Sequence, residues 1–215
     1  SKSLGSVTAG TISIGYKRTG KSIDPNFTTP FEGRGGLGMM SGQHGGTKDG
    51  GGRSTNTVEY VSPSISGAKV NAHYNLAEAA ANNIGAGLTY SGGPAKAFVQ
   101  YMGAAEDKTF TKFGGAFSMS GATVGVQYEM YADATTGGDV NDYGHMFLNV
   151  AYAMGASSVN VSYGSKSGES AVTDVSAWAA VVQHKASKKA TIYAGFGSQT
   201  VGDLDAESMY GAGMK

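Results

Sequence analysis

The sequence offers four groups of side chains whose types and spacing suit chemistry. Gly33-Arg34-Gly35-Gly36-Leu37-Gly38 fits the G-x-G-x-x-G spacing of a dinucleotide loop. Such a loop works only between a strand and a helix whose N-terminus meets the pyrophosphate. Here it lies in a glycine-rich stretch with no helical pattern after it, so no nucleotide cofactor is implied. His44, His73, His145 and His184 lack the paired spacing of a zinc site. Asp133, Asp139 and Asp142, and further on Asp203, Asp205 and Glu207, could gather oxygen ligands, but neither set has the spacing of a calcium loop; they read as solvated acidic loops. With no cysteine, thiolate chemistry is excluded, and no Ser, His and acid set can be assembled. What remains is a mixed set of charges between residues 18 and 53: Arg18, Lys21, Asp24, Glu32, Arg34, Lys48, Asp49 and Arg53. Opposite charges held close together make no bonds, but they sort ions by sign and size. The expectation is no enzyme activity, no cofactor and no metal.

The elements that position these charges follow from composition and period. Glycine supplies 35 of 215 residues, about twice its usual share of roughly 7%, with none of the three-residue period of collagen. Twelve Tyr, eight Phe and nine Met give apolar surface to bury, which disfavours disorder. Sixteen basic residues balance sixteen acidic ones, so no net field points to a nucleic-acid partner. The longest apolar run, residues 177 to 182, is far short of the ~18 residues of a membrane-spanning helix. Residues 1 to 5 show no charged start before an apolar run, so a secretory signal is either cleaved or lies outside this chain.

Alternation of apolar with small or polar side chains predicts twelve strands: 6 to 17, 54 to 61, 69 to 76, 84 to 90, 95 to 101, 111 to 119, 122 to 130, 145 to 154, 159 to 163, 174 to 186, 189 to 198 and 207 to 215. After residue 62, tight turns such as Gly92-Gly93-Pro94 and Ser120-Gly121 alternate strictly with longer polar loops. That asymmetry belongs to outer-membrane barrels, with tight turns on the periplasmic side, and not to Greek-key sandwiches. One face carries Val, Leu, Phe, Tyr and Met; the other carries Gly, Ser, Thr, Asn and Gln with Glu59, Lys69, Lys96, Lys112 and Glu129, too hydrophilic for a dry core. Lys69, Asn71, His73 and Asn75 should therefore face a water-filled lumen, and Val70, Ala72, Tyr74 and Leu76 lipid. Tyr60, Tyr74, Tyr90, Tyr101, Tyr128 and Tyr163 near strand ends suit an interfacial girdle. The fold class is thus all-β, a transmembrane antiparallel β-barrel with about twelve strands in this chain.

Residues 18 to 53 form a 36-residue connection with 11 glycines, against the usual four to six residues, roughly. The strand after it reads Arg53-Ser54-Thr55-Asn56-Thr57-Val58-Glu59-Tyr60-Val61-Ser62-Pro63, and later stretches read Ala186-Ser187-Lys188-Lys189-Ala190-Thr191-Ile192-Tyr193 and Tyr210-Gly211-Ala212-Gly213-Met214-Lys215. In this order the three resemble the general trimeric porins of Gram-negative bacteria: the strand after the pore-constricting third loop, the last periplasmic turn and the start of the closing strand. The resemblance implies a homotrimeric outer-membrane channel for passive diffusion of ions and small hydrophilic solutes, in contact with outer-membrane lipid and lipopolysaccharide. It implies a single barrel domain over residues 1 to 215 with residues 18 to 53 folded inward as a constriction. Asp24, Glu32 and Asp49 would be its acidic charges, Lys17, Arg18, Arg53, Lys69 and Lys96 the basic ones, with Arg34 on the loop itself. The family has sixteen strands and its infolded loop follows the fifth, so four N-terminal strands are expected to be missing; the even-number rule also allows a twelve-stranded barrel. Two other readings stand beside the channel: an adhesin or structural barrel acting through surface loops, and an outer-membrane enzyme, for which no convergent acid–base set is visible.

Overall fold

The computed structural model describes residues 3–34, 37–41, 53–76, 83–103, 108–133, 142–168 and 174–215. They form one twelve-stranded antiparallel sheet in sequence order: β1 (Ser6–Ile12), β2 (Ser54–Val61), β3 (Ala68–Asn75), β4 (Ile84–Gly92), β5 (Ala95–Gly103), β6 (Lys108–Met119), β7 (Ala122–Asp133), β8 (Tyr143–Met154), β9 (Ser157–Gly168), β10 (Val175–Lys185), β11 (Thr191–Val201) and β12 (Glu207–Met214). Six of these strands, β6 to β11, have 11 or 12 residues, enough for a tilted strand to cross the ~30 Å hydrocarbon layer. Among the described residues no backbone pairing joins β1 to β12, so the sheet is open along that seam.

Tight turns lie at one end of the sheet. Between β6 and β7 both turn residues, Ser120 and Gly121, have positive φ (50° and 83°), the backbone of a two-residue turn whose twist matches that of the strands it joins. The period-two pattern then divides the side chains. Val70, Tyr74, Val126, Tyr128, Leu148 and Tyr163 are all exposed on the outer face, the apolar surface a barrel turns to lipid. Glu59, Asn71, Gln100, Gln127, Glu129 and Asn149 are buried on the inner face.

The first strand ends earlier than alternation predicts. β1 stops at Ile12, and Gly15–Lys21 form a short helix, α1. On a continued strand Ile14 and Tyr16 would share one face, but both are fully buried inside, packed with Met102 and Phe110. A second apolar cluster lies on the same inner side, where Ile23, Phe31, Leu37, Met39 and Met40 meet Phe98, Phe147, Ala177, Ala179 and Val181. The apolar core therefore lies between the inner wall and the segment after β1. Asn71, His73 and Asn75 do face inward, but at 4–6% exposure they line a packed interface and not open water.

Candidate functional site

Glu59 turns the chain inward. A carboxylate in mid-strand on the inner face must find donors or stay costly to bury. Its Oε1 accepts the Gly15 backbone N–H at 2.7 Å, and Arg18 donates to both oxygens at 2.6 and 3.0 Å. These bonds capture one orphan N–H of the first helical turn, for which Ile14 provides no side-chain cap. Glycine at position 15 leaves room for the Asn71 amide, which a Cβ there would meet at 2.2 Å and displace.

A second carboxylate ties down both ends of the described inner segment. Glu129 stands directly across from Lys112 on one side and from His145 on the other. Lys112 Nζ lies 3.8 Å from Glu129 Oε2 and 3.8 Å over the Tyr16 ring. The Ser41 hydroxyl donates to Glu129 Oε1. Tyr16 packs edge-on to Phe110, with centroids 6.3 Å apart. Burial, reinforced by the charge of Glu129, pushes the Tyr16 phenol well above its ordinary range.

Between these anchors Asp24 organises the segment. Its oxygens accept the N–H groups of Asn26 at 2.9 Å and Gly33 at 2.8 Å. Burial nevertheless pushes the Asp24 carboxyl up from the ordinary carboxylate range; those two bonds oppose the shift and nearby Glu32 adds to it. Glu32 Oε2 accepts the N–H of Thr28 at 2.8 Å, whose φ of 67° is strained for a β-branched residue. The tip is pinned to the far wall: Gln183 Nε2 donates to Pro25 O at 2.9 Å and Asn26 Oδ1 at 3.0 Å, Asn26 donates to Ser162, and Lys215 Nζ reaches Phe27 O at 2.9 Å. Wall glycines form the seat. A Cβ at Gly164 would lie 2.1 Å from Met39 O, and one at Gly197 would lie 2.6 Å from Leu37 Cδ1.

The remaining charges divide into two groups. Lys17 and Arg34 are half-buried, and Arg34 donates to Lys17 O at 3.3 Å with its guanidinium 5.2 Å over Phe27. Burial, then the charges of Arg34 and Arg53, lower the Lys17 ammonium from its ordinary range. Arg53 is exposed just before β2, and Asp49 lies outside the described residues. Arg18, Lys69 and Lys96 are brought together, lining one cavity of about 370 Å³ between α1 and the inner faces of β3 to β5. A second cavity, of about 300 Å³, shares Lys96 and Ser22 with the first and is bounded by Asp24, Pro25 and Asn149.

Of the clamp residues, the sequence places Glu59, Lys112 and Glu129 on the lumen-facing side without assigning them to the constriction, and it does not single out Tyr16 or Ser41. The signal for three of them was visible: an ionisable residue at an inward strand position requires a partner, and the β6–β7 hairpin sets Lys112 directly opposite Glu129. Among the described residues no three His, Cys, Asp or Glu side chains are grouped to hold a metal ion. The Gly33–Gly38 stretch is followed by no helix among the described residues.

A family model described as Gram-negative porin matches residues 1–204. Among solved structures, the fold is similar to the anion-selective porin from Comamonas acidovorans, with TM-score 0.77 and 17% identity over 98% of this chain and 70% of that one. It is also similar to a loop L8 deletion mutant of OmpT, an outer membrane protein of Vibrio cholerae, with TM-score 0.70 and 16% identity over 98% of this chain and 75% of that one. The trimer form of in-vitro folded OmpT from the same organism gives TM-score 0.65 and 14% identity over 98% and 74%. No curated protein sequence matches the chain.

Proposed function

This chain belongs to the Gram-negative porin family, and from that premise we propose that α1 and the described residues after it, 22–34 and 37–41, narrow its channel, with the fixed charges around α1 and the facing wall sorting what passes. The protein is an outer-membrane channel for passive diffusion of ions and small hydrophilic solutes. One observation carries the narrowing: α1 and the segment after it pack across the inner face from β5 to β10, from Phe98 and Phe110 through Glu129 and Phe147 to Val181. Their side chains fill one side of the lumen and leave the cavities beside Arg18, Lys69 and Lys96. Of the proposed filter charges, Arg18, Lys69 and Lys96 border that space, with Asp24 at its inner end. Glu32, Arg34 and Lys17 shape the loop, and Arg53 stands at its return to the wall.

The channel works without catalysing a reaction. Tyr16, Lys112 and Glu129 are at most 2% exposed, so the best-connected set of proton-transfer groups is sealed from any solute and serves as a clamp. The apolar outer face supports contact with outer-membrane lipid and lipopolysaccharide, and the family supports a homotrimer in a single-domain barrel. Replacing residues 24 to 34 with a short Gly-Ser linker tests the narrowing. Single-channel conductance in planar bilayers should rise; unchanged conductance in channels that form normally would contradict it.

A further inference from the structure

The tight turns of the sheet carry charge at one place only, the turn between β10 and β11, and we propose that this turn and the outer face beside it bind the headgroup of an anionic phospholipid in the periplasmic leaflet. The inference rests on the outer-membrane reading, in which tight turns face the periplasm. Five such turns are described, residues 62–67, 93–94, 120–121, 155–156 and 186–190. The last holds Lys188 and Lys189, and Lys185 ends the strand before it; the other four hold no ionisable side chain. These three lysines are exposed, and none has a carboxylate partner among the described residues. Asp133, Asp142, Asp174, Asp203, Asp205 and Glu207 all lie at the opposite end of the sheet. The positive charge of the turn is therefore local and unbalanced.

The surface next to the turn has the layering of a lipid. The turn itself is braced, with the Ser187 hydroxyl accepting the Lys189 N–H at 3.1 Å and the Ser187 N–H donating to Ala190 O at 3.2 Å. On the outer face just inside it, His184 stands directly across from Ser157, its Nδ1 2.9 Å from the Ser157 hydroxyl. One row further from the turn, Val182 faces Val159, while Ile192 stands across from His184 on β11; all three apolar side chains are exposed. A free phosphate would engage the lysines and leave these apolar neighbours uncovered. A phospholipid matches every layer: its phosphate oxygens take charge-assisted bonds from Lys188 and Lys189, its glycerol oxygens lie at the depth of His184 and Ser157, and its chains cover Val159, Val182 and Ile192. A zwitterionic headgroup brings its own cation, which the lysines repel, so the charge selects an anionic lipid.

The test compares phosphatidylglycerol with phosphatidylcholine, each carrying dibrominated chains that quench tryptophan on contact, in bilayers holding the purified protein. Trp178 is the one tryptophan of the chain and lies on the outer face, so Trp178→Phe/Val182→Trp moves the reporter to the row beside His184. Quenching should show phosphatidylglycerol preferred about twentyfold, and Lys188→Gln and Lys189→Gln should each remove about fivefold of that preference, the factor that one lysine is worth at an anionic membrane surface. Lys188→Arg and Lys189→Arg should retain it, and Lys166→Gln, at the opposite end of β9, should leave it unchanged. Native mass spectrometry of the protein with Trp178 and Val182 in place reads the same order from the phosphatidylglycerol adducts retained, and decides the outcome where the reporter variant fails to fold. Equal affinity for the two lipids, or a preference unaltered in the Lys188→Gln/Lys189→Gln double variant, would overturn the site and leave the outer-membrane reading intact. Loss of the preference on adding glycerol phosphate at fixed ionic strength would assign the lysines to soluble phosphate esters and overturn the lipid site as well. Trp178 of the unmodified protein left unquenched by either brominated lipid would overturn the outer-membrane reading itself.

Discussion

Arg18 closes on Glu59 across 41 residues of sequence, with both terminal nitrogens of its guanidinium on the two carboxylate oxygens at 2.6 and 3.0 Å. Glu59 is buried, whereas the Arg18 side chain is 43% exposed, so solvent screens part of the pair. Glu59→Gln keeps an oxygen for the Gly15 N–H but turns an amide NH2 toward the Arg18 guanidinium, so it should cost on the order of 1–3 kcal/mol through the lost charge-assisted bonds. The checks are the denaturant midpoint in detergent, which should fall, and open-channel current noise, which should rise as α1 loosens.

Backbone packing on Gly164 gives a prediction independent of charge. A methyl group there meets Met39 O at 2.1 Å, whereas at Gly211 its nearest neighbour is a Phe31 ring carbon at 3.9 Å. Gly164→Ala should displace the inner segment and change single-channel conductance. Gly211→Ala should leave conductance as it is. Equal behaviour of the two variants would mean that the segment does not rest on β9.

The two faces should respond oppositely to charge, with one exception to what alternation alone predicts. Val126→Arg, on the exposed outer face of β7, should cost about 2–4 kcal/mol if it lies at the bilayer midplane, read from the unfolding midpoint in lipid. Period-two reasoning suggests that arginine is tolerated at any inward position. Asn71→Arg should not be, because Asn71 exchanges two hydrogen bonds with Gln100, at 3.1 and 3.0 Å, and abuts Gly15. It should destabilise the fold to an extent comparable with the outer-face change.

The pH dependence follows from Asp24. Its carboxyl is pushed up by burial, so the folded state holds the proton more tightly than the unfolded chain does. Its contribution to stability is then fully present below the ordinary carboxylate range and is lost as pH rises through the raised value. Unfolding midpoints measured across the acidic range should show this decline, and Asp24→Asn should flatten it. An unchanged slope in Asp24→Asn would assign the dependence to other groups.

Most of the wall was legible because a barrel strand must alternate between lipid and lumen; β2 to β12 fall where the period placed them, give or take a few residues. β1 did not, because its end is decided by Glu59, a partner that no local pattern reveals. The turn at Ser13 into α1 is a tertiary event. Lys69, Lys96 and Arg18 were legible as lumen charges, and the structure brings them to one cavity. Asp24 carried the same signal yet holds backbone N–H groups, since a short acidic side chain beside a turn satisfies local donors before it meets a solute. The seat at Gly164 was hidden among 35 glycines, because its role depends on what lies opposite.

The proposed narrowing requires that α1 and the segment after it border the path of ions. The chain has no cysteine, so one introduced thiol reports a single position. Ser22 is exposed to both cavities, whereas Tyr128 lies on the outer face. In a planar bilayer carrying Ser22→Cys, a charged water-soluble thiol reagent should reduce the current in discrete, irreversible steps, while Tyr128→Cys should show none. Current through Ser22→Cys channels that remains unchanged after labelling is confirmed by mass would contradict the account, because the ion path would then run elsewhere.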